Sequence, residues 1–256
     1  MGLSQLLRPP EEAAGGPDVH RSGPEVVQEV LPYDPMYAYS PDSYFEAGSR
    51  ALRCIRLALL AAERDSVTSI LDFACGGGRV LRYLNAAYPE ADLTACDLYQ
   101  RCLAFCAEQF GAQTLVSSAK LEDTEIGGPY DLIWVGSLFT HVGEKDWRRM
   151  LTMFDAALSA RGVLVFTAYG RPIADLLRGG RATLGLTDEH REQIVSDYEE
   201  SGFGFFADMY PEMEHGDALA ARWWVARELD RFADLNLLLY IEQGWLDQDV
   251  IACVKS

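Results

Sequence analysis

Short apolar runs alternate with amphipathic stretches over residues 68–167. The apolar runs have strand length and lie at 68–73, 92–96, 113–117, 131–135 and 162–167. Between them, apolar positions recur with the helical period at about 78–88, 99–110 and 145–159. This alternation predicts a doubly wound parallel sheet with right-handed crossovers, because short apolar strands of this kind are covered on both faces.

The flanking segments have a weaker pattern. A helix is predicted at about 42–63, after the N-cap and first-turn proline of Ser40–Pro41. We interpret Leu31–Tyr39 as an ordered covering segment that is too rich in proline for a helix. After the fifth strand the regularity lapses, and helices are predicted only at 187–200 and 217–232.

Two final apolar runs, 235–242 and 248–254, predict a closing hairpin. The intervening Gln243–Asp247 is too short for a helical crossover, so the two strands should be antiparallel. The predicted fold class is therefore α/β: a doubly wound, seven-stranded sheet, mostly parallel with an antiparallel C-terminal strand, and with helices on both faces.

Composition divides the chain into three parts. Residues 1–24 are rich in proline and glycine and poor in apolar side chains, which predicts a flexible tail. Residues 25–65 are expected to form an N-terminal lid and helix. Residues 66–256 are expected to form the main domain, with a variable insertion at about 171–233.

The balance of charge is strongly acidic, with 22 Lys and Arg against 39 Asp and Glu and a formal net charge of −17. Nucleic acids and anionic membranes are therefore disfavoured as partners. The six cysteines form no CxxC pair, and no signal-peptide core or transmembrane run is present, so we expect a cytoplasmic protein. The four histidines have no metal-ligand spacing, so no metal is expected. The sequence does not specify an oligomeric state.

The glycines that follow the first strand provide the main candidate for chemistry. Strand Ile70–Phe73, glycines Gly76–Gly78 and the next helix have the form of a nucleotide-binding corner. Glycine lets the backbone approach a ligand closely, and the helix directs free N–H groups towards it. Asp97, directly after the second strand, is placed to accept hydrogen bonds from two ribose hydroxyls, with N-capping of the next helix as the alternative role.

The spacing Asp72-x-Ala74-x-Gly76-x-Gly78 resembles motif I of the class I, Rossmann-like S-adenosylmethionine-dependent methyltransferases. The segment Ser137–His141 also resembles bacterial small-molecule members of that family. The resemblance implies that S-adenosylmethionine is bound, that S-adenosylhomocysteine is the product and that no metal is needed. The cofactor-binding residues expected on this basis are Asp72, Phe73, Ala74, Cys75, Gly76, Gly78, Asp97, Leu98, Ser118, Ala119, Gly136, Ser137 and, as an aromatic lid, Tyr44.

His141 is the best candidate for a general base, because an unperturbed histidine titrates near neutral pH. A packing or hydrogen-bonding role is the alternative. Tyr37 and His215 are expected to contact the substrate together with His141. Related small methyltransferases often have a histidine before a Gln-Asp pair in the closing hairpin, whereas Asp247 stands before Gln248 here.

The leading interpretation is an enzyme that transfers a methyl group in line from S-adenosylmethionine to an oxygen or nitrogen of a small molecule, such as a sugar, a natural product or another metabolite. No Asp/Asn-Pro-Pro-Tyr/Phe motif follows the fourth strand, which disfavours the branch that methylates base amines and glutamine side chains. A non-catalytic scaffold or binding module is one alternative. An NAD-dependent oxidoreductase is less favoured, because it would need G-x-G-x-x-G and no antiparallel closing hairpin.

Overall fold

The computed structural model describes residues 25–210 and 215–256. The tail predicted at 1–24 lies outside the described residues. The strands are β1 (Ser69–Phe73), β2 (Asp92–Asp97), β3 (Gln113–Val116), β4 (Tyr130–Val135), β5 (Leu158–Ala168), β6 (Phe203–Tyr210), β7 (His215–Ala220), β8 (Leu235–Trp245) and β9 (Gln248–Lys255). The helices are α1 (Pro35–Tyr39), α2 (Pro41–Ala61), α3 (Leu81–Ala87), α4 (Gln100–Phe110), α5 (Glu144–Ala157), α6 (Arg171–Arg178), α7 (Asp188–Ser201) and α8 (Arg222–Leu229).

A seven-stranded sheet in the order β3-β2-β1-β4-β5-β9-β8 forms the centre of the molecule. Strands β1 to β5 pair in parallel, whereas β9 is antiparallel to both β5 and β8. The predicted fold class, with its mostly parallel sheet and antiparallel C-terminal strand, is therefore confirmed.

Both faces of the sheet are covered, and β4 shows how. Ile133 and Val135 pack into an apolar cluster with α5 and α8, whereas Leu132 and Trp134 pack into a second cluster with α2, α3 and α4. Side chains alternate between the two faces of a strand, so a continuous apolar run is required wherever both faces are buried.

The covering segment differs from its prediction at its second half, because Pro35–Tyr39 forms the short helix α1. Pro35 occupies the first turn, where no backbone donor is needed, and Asp34 caps the helix. The Asp34 Oδ1 atom accepts hydrogen bonds from the N–H groups of Met36 at 2.8 Å and Tyr37 at 3.3 Å. Proline therefore starts this helix instead of preventing it.

The helix predicted at 217–232 is wrong over its first residues, because His215–Ala220 is strand β7 and α8 begins at Arg222. Strand β7 pairs antiparallel with β6, with Phe203 opposite Ala220 and Phe206 opposite Asp217. We call this pair the β6–β7 ribbon. It docks on the segments that follow β4 and β5, where the Ala218 N–H donates to Thr140 O and the Ala220 N–H donates to Tyr169 O, each at 2.8 Å.

No helix in the described part of the chain combines the length and the apolar character needed to cross a membrane.

Near the amino-terminal ends of the central strands, Asp131 joins three segments of the chain. Its Oδ2 atom accepts hydrogen bonds from the Thr68 N–H at 2.9 Å and the Thr68 hydroxyl at 2.8 Å. Its Oδ1 atom accepts from the Ser159 hydroxyl at 2.7 Å, and Arg64 forms an ion pair with the same carboxylate. Burial alone would raise the pKa of Asp131, but these hydrogen bonds and the arginine outweigh burial and lower the pKa to about 2.

We expect Asp131→Asn to lower the free energy of unfolding by about 2 kcal/mol at pH 7, because the charge-assisted bonds weaken. The folded pKa lies below the unfolded value of about 3.9, so this stabilisation is present above that pH and is lost as the pH falls towards 2. Urea unfolding of both proteins between pH 7 and pH 2 measures the difference. A difference that stays constant over that range would contradict the assignment.

Candidate functional site

The carboxyl ends of β1, β2 and β4 meet at one level in the middle of the sheet. Phe73 at the end of β1 is in register with Cys96 of β2 and Val135 of β4. The loops that begin at Ala74, Asp97 and Gly136 therefore leave the sheet side by side. Ligands of open α/β sheets bind in the crevice outside these strand ends.

The loop after β1 is open on one side at Gly76. Gly76 has φ 53°, and a Cβ atom built there would meet no atom within 4 Å. Its N–H donates a hydrogen bond of 2.8 Å to Asp97 Oδ2. Asp97 is 7% exposed, and its other oxygen accepts from the Tyr99 N–H at 2.9 Å. Asp97 therefore fixes the loop, and both of its oxygens retain lone pairs for a ligand.

On its other side the same loop is packed tightly against protein. A Cβ atom at Gly78, which has φ 72°, would lie 2.5 Å from the Phe110 ring of α4. A Cβ atom at Gly77 would overlap the Asp34 carboxylate. The loop is thus a cradle of bare backbone, closed beneath and open at Gly76.

Asp72, the first residue of the predicted motif, is 2% exposed, and its Oδ2 atom has no hydrogen-bond partner among the described residues. Burial and the nearby Asp97 charge raise the pKa of Asp72 to about 8, against the opposing effects of Arg79 and the Leu81 N–H. A buried carboxylate oxygen without a partner is costly in free energy, so a hydrogen-bond donor from a ligand would stabilise it.

Arg79 is a site residue that the sequence reasoning missed. Its guanidinium carbon lies 5.1 Å from the centre of the Trp245 ring, and it hydrogen-bonds no described residue. Burial lowers the pKa of Arg79, while Tyr44, Asp34 and Asp72 act in the opposite direction. Its position directly after the third glycine was the available signal. The cradle thus has a buried acid and a partly buried base beside it.

Tyr44 lies behind the loop, at 1% exposure, and not over its open side. Its hydroxyl is 3.2 Å from Asp34 Oδ2 and 3.4 Å from Gly77 O, so it can influence a ligand only through the loop. Tyr37 packs edge-on against Tyr44, with ring centres 5.4 Å apart, and is 37% exposed. Cys75 and Phe73 are also buried. The predicted lid position of Tyr44 is therefore replaced by a supporting one.

Three more of the residues predicted to bind the cofactor lie in the loops after β2 and β3. Leu98 is half-buried after β2, and Ala119 is exposed in the loop after β3. The Ser118 hydroxyl accepts a hydrogen bond from the Lys120 N–H at 3.1 Å, and the Ser118 N–H donates to Thr124 Oγ1 at 2.9 Å. Ser118 therefore shapes its own loop.

A closed set of polar contacts joins the ends of β4 and β5 to the start of β9. The Ser137 N–H donates to Thr167 Oγ1 at 2.8 Å, and Thr167 Oγ1 donates to Gln248 Oε1 at 2.5 Å. The Gln248 side-chain amide in turn donates to Ser137 Oγ at 2.9 Å. Ser137 has φ 61°, a strained value for a serine, and this set of contacts holds it there.

His141 lies under the β6–β7 ribbon, and its ring is fixed by the ribbon's backbone. Its Nδ1 atom is 2.8 Å from Gly216 O, a carbonyl that can only accept, so Nδ1 is the protonated nitrogen and Nε2 carries the lone pair. Asp217 Oδ1 is 3.7 Å from the same Nδ1. Burial lowers the pKa of His141, so its ring is neutral at physiological pH.

His215 is brought close to His141 by the ribbon. The Gly216 N–H donates to His141 O at 3.0 Å, and His215 forms an isolated bridge with Val142. Burial, followed by the effect of His141, lowers the pKa of His215. The two histidines that were predicted to contact substrate therefore lie close to each other.

Comparison with known proteins agrees with this geometry. Residues 71–164 match the family model described as a methyltransferase domain. Two curated relatives are malonyl-[acyl-carrier protein] O-methyltransferases. The one from Acetivibrio thermocellus is 25% identical over 115 residues, which is 44% of this chain and 40% of that protein. The one from Anoxybacillus flavithermus is 27% identical over 103 residues, 40% of this chain and 39% of that protein. The matched part is about two fifths of each relative's length.

Solved structures match over most of the chain. An S-adenosylmethionine-dependent methyltransferase from Clostridium acetobutylicum superposes with a TM-score of 0.60 at 14% identity, covering 87% of this chain and 98% of that one. The N-methyltransferase NodS from Bradyrhizobium japonicum, solved with S-adenosylhomocysteine, gives a TM-score of 0.54 at 14% identity, with coverage of 87% and 92%. The structural likeness shows the shared fold, and the domain match covers β1 to the first part of β5. Residues 71–164 are thus similar to a methyltransferase domain, and the chain has the fold of the S-adenosylmethionine-dependent methyltransferases that it resembles.

Proposed function

We propose that the protein is an enzyme that methylates an oxygen or nitrogen of a small molecule, with S-adenosylmethionine as the methyl donor. The observation that carries this proposal is the cradle of bare backbone at Gly76, with Asp97 fixed beside it and the Asp72 Oδ2 atom lacking a partner. The bound S-adenosylhomocysteine in the NodS structure supports the same choice of donor.

The residues around the cradle fit the parts of S-adenosylmethionine. The remaining lone pairs of Asp97 suit two ribose hydroxyls, and the backbone at Gly76 leaves room beside them. The unpartnered oxygen of Asp72 suits the α-ammonium group, and the free donors of Arg79 suit the α-carboxylate. When bound, the donor supplies a methyl group that its positively charged sulfur activates for attack. The protein binds and aligns the two reactants and excludes water from them.

His141 is proposed as the general base for an acceptor that must lose a proton. Its Nδ1–H is committed to Gly216 O, so its Nε2 lone pair is free to take the proton. Asp217, close to Nδ1, would stabilise the imidazolium that forms. A role limited to packing would need neither the fixed tautomer nor the neighbouring carboxylate.

The proposal assigns a separate role to each of three parts of the chain. Residues 66–256 would form the catalytic domain and 25–65 its cover, and the insertion at 171–233 would build the acceptor side. In support, the β6–β7 ribbon belongs to the insertion and contacts Thr140, His141 and Tyr169.

We also propose a cytoplasmic location and a small-molecule acceptor, with no nucleic acid or membrane as partner. The net charge of −17 and the six free thiols support this choice. A dehydrogenase is disfavoured because the glycine spacing is not G-x-G-x-x-G and β9 is antiparallel.

Gly76→Ala and Gly78→Ala form a matched pair, because both residues have positive φ but only Gly78 is enclosed. We expect Gly76→Ala to destabilise the fold by about 1 kcal/mol and to weaken binding of S-adenosylmethionine about tenfold or more, since its methyl group would fill the cradle. Gly78→Ala should destabilise the fold by about 3 kcal/mol, because its methyl group also meets Phe110. Urea unfolding and calorimetry measure the two effects, and wild-type affinity in Gly76→Ala would place the donor elsewhere.

Calorimetric titration of the wild-type protein with S-adenosylmethionine tests the proposed function directly. Asp97→Asn should bind about tenfold or more weakly, since the charge-assisted bonds to the ribose are lost. Asp92→Asn, an exposed residue at the other end of the same strand, is the control and should bind normally. If the wild-type protein does not bind S-adenosylmethionine at about millimolar concentration, the proposed function is wrong, because a donor that does not bind cannot be used.

His141→Gln should lower kcat about 100-fold or more with an acceptor identified by screening for S-adenosylhomocysteine release, while donor affinity stays unchanged. His190→Gln, whose ring stacks on Phe206, is the control. Since burial lowers the pKa of His141, the rate of the wild type should decline only below the ordinary histidine value of about 6.5. An unaltered kcat in His141→Gln would remove the base from the mechanism.

A further inference from the structure

The hydrogen bonds that join Ser137, Thr167 and Gln248 favour one direction. The Ser137 backbone N–H can only donate, so Thr167 Oγ1 accepts it, at 2.8 Å. Thr167 is 0% exposed, and the acceptor for its own hydroxyl hydrogen is Gln248 Oε1, at 2.5 Å. If the Gln248 amide were turned over, that buried hydrogen would have no acceptor among the described residues, which is costly in free energy. The Gln248 Nε2 atom is therefore the end that faces Ser137.

This direction leaves the hydroxyl hydrogen of Ser137 unused. Gln248 Nε2 can only donate, so the Ser137 Oγ atom accepts from it, at 2.9 Å. The Ser137 hydroxyl hydrogen has no acceptor among the residues that the structure describes. Ser137 is half-buried, whereas Thr167 and Gln248 are buried, so the unused donor lies on the most exposed member of the set.

Ser137 lies at the strand ends where this fold binds its ligands. It is the second residue after β4, in a loop that leaves the sheet beside the loops of Ala74 and Asp97. Its φ of 61° is strained for a serine, and such strain is concentrated at functional sites. Gln248 is 4% exposed, and its Oε1 and Nε2 atoms are bonded to Thr167 and Ser137. We therefore expect Gln248 to act on a ligand through Ser137.

We propose that Gln248 is a positioning residue, which holds the Ser137 hydroxyl so that its hydrogen is donated to an oxygen atom of a bound ligand. This inference rests on the proposed function and adds a contact to the same site. Two ligands of the reaction can supply such an oxygen: the molecule that is methylated and the carboxylate of S-adenosylmethionine. Separate measurements on the two ligands distinguish these sources.

Ser137→Ala removes the proposed donor. We expect it to weaken one of the two ligands about tenfold, as the loss of one hydrogen bond predicts. Calorimetric titration with S-adenosylmethionine gives the Kd of the methyl donor. An assay of S-adenosylhomocysteine release gives the KM of the methyl acceptor, which is the best substrate from a panel of small alcohols, phenols and amines. The constant that changes identifies the ligand whose oxygen is bound.

Gln248→Glu reverses the direction of the bond to Ser137. An ionised carboxylate only accepts, so the Ser137 hydroxyl hydrogen turns towards it, and the same ligand should be weakened about tenfold at pH 8. A protonated carboxyl has one acceptor oxygen and one donor, as the amide has, so the ratio to the wild type should return towards one as the pH falls. Burial and the neighbouring Asp247 and Asp249 raise the pKa of the introduced carboxyl above about 4.3, so recovery is expected between about pH 8 and pH 5.

The double variant Ser137→Ala/Gln248→Glu separates positioning from simple support of the fold. If Gln248 acts through Ser137, the double variant should match Ser137→Ala alone, with no recovery at low pH. Gln243→Glu is the matched control, since Gln243 is an exposed glutamine in the same hairpin. It should bind both ligands as the wild type does, at every pH.

The inference is overturned if Ser137→Ala changes neither the Kd of the donor nor the KM of the acceptor. Additive losses in the double variant would also overturn it, as would a loss in Gln248→Glu that persists at low pH, because a merely structural glutamine predicts both. If the wild type does not bind S-adenosylmethionine, or binds it and releases no S-adenosylhomocysteine with any member of the panel, the proposed function itself has failed.

Discussion

The backbone of Gly76–Gly78 can follow its path only because it has no side chains, and two buried groups hold it there. Asp97 accepts the Gly76 N–H from the side of the sheet. From beneath, Arg82, at 0% exposure, donates to Gly78 O at 3.1 Å and to Val27 O and Glu29 O at 2.8 and 2.9 Å. A buried guanidinium is stable only when its donors are satisfied, and here backbone carbonyls satisfy them. These bonds thus tie the loop to α3 and to the N-terminal segment, and the protein's own contacts hold the cradle in place.

The fixed position of the loop explains why incompletely partnered polar groups persist beside it. Asp72 is buried with one oxygen unpartnered, and Arg79 is partly buried with no hydrogen-bonded neighbour among the described residues. Each group lacks a hydrogen-bond partner that a ligand could supply, and Arg79 packs on the Trp245 ring. Departures from full polar satisfaction are expected at sites that a ligand completes. A zwitterion offers an ammonium group to one residue and a carboxylate to the other.

The sequence predicted the parts of the fold that depend on local pattern and missed the parts that depend on distant pairing. Ile70–Phe73 and the glycines give the corner by strand length and loss of side chains alone. The β6–β7 ribbon was not predicted, because Phe203 and Ala220 pair although they are distant in sequence, and 217–220 also fits a helical period. Tyr44 was expected over the ligand, since aromatic content does not tell which side of a loop a ring will occupy. Arg79 was missed because the motif ends one residue before it.

The same distinction separates the two halves of the site. The donor half is built from residues that are close in sequence, Asp72 to Arg79 with Asp97, so one motif identifies it. The proposed acceptor half draws His141 and His215 from segments that meet only when the ribbon docks on the sheet. A substitution in the ribbon can therefore change what the acceptor meets without touching the hydrogen bond between Asp97 and Gly76. The fold can keep its methyl donor while the acceptor changes, because separate contacts hold the two halves in place.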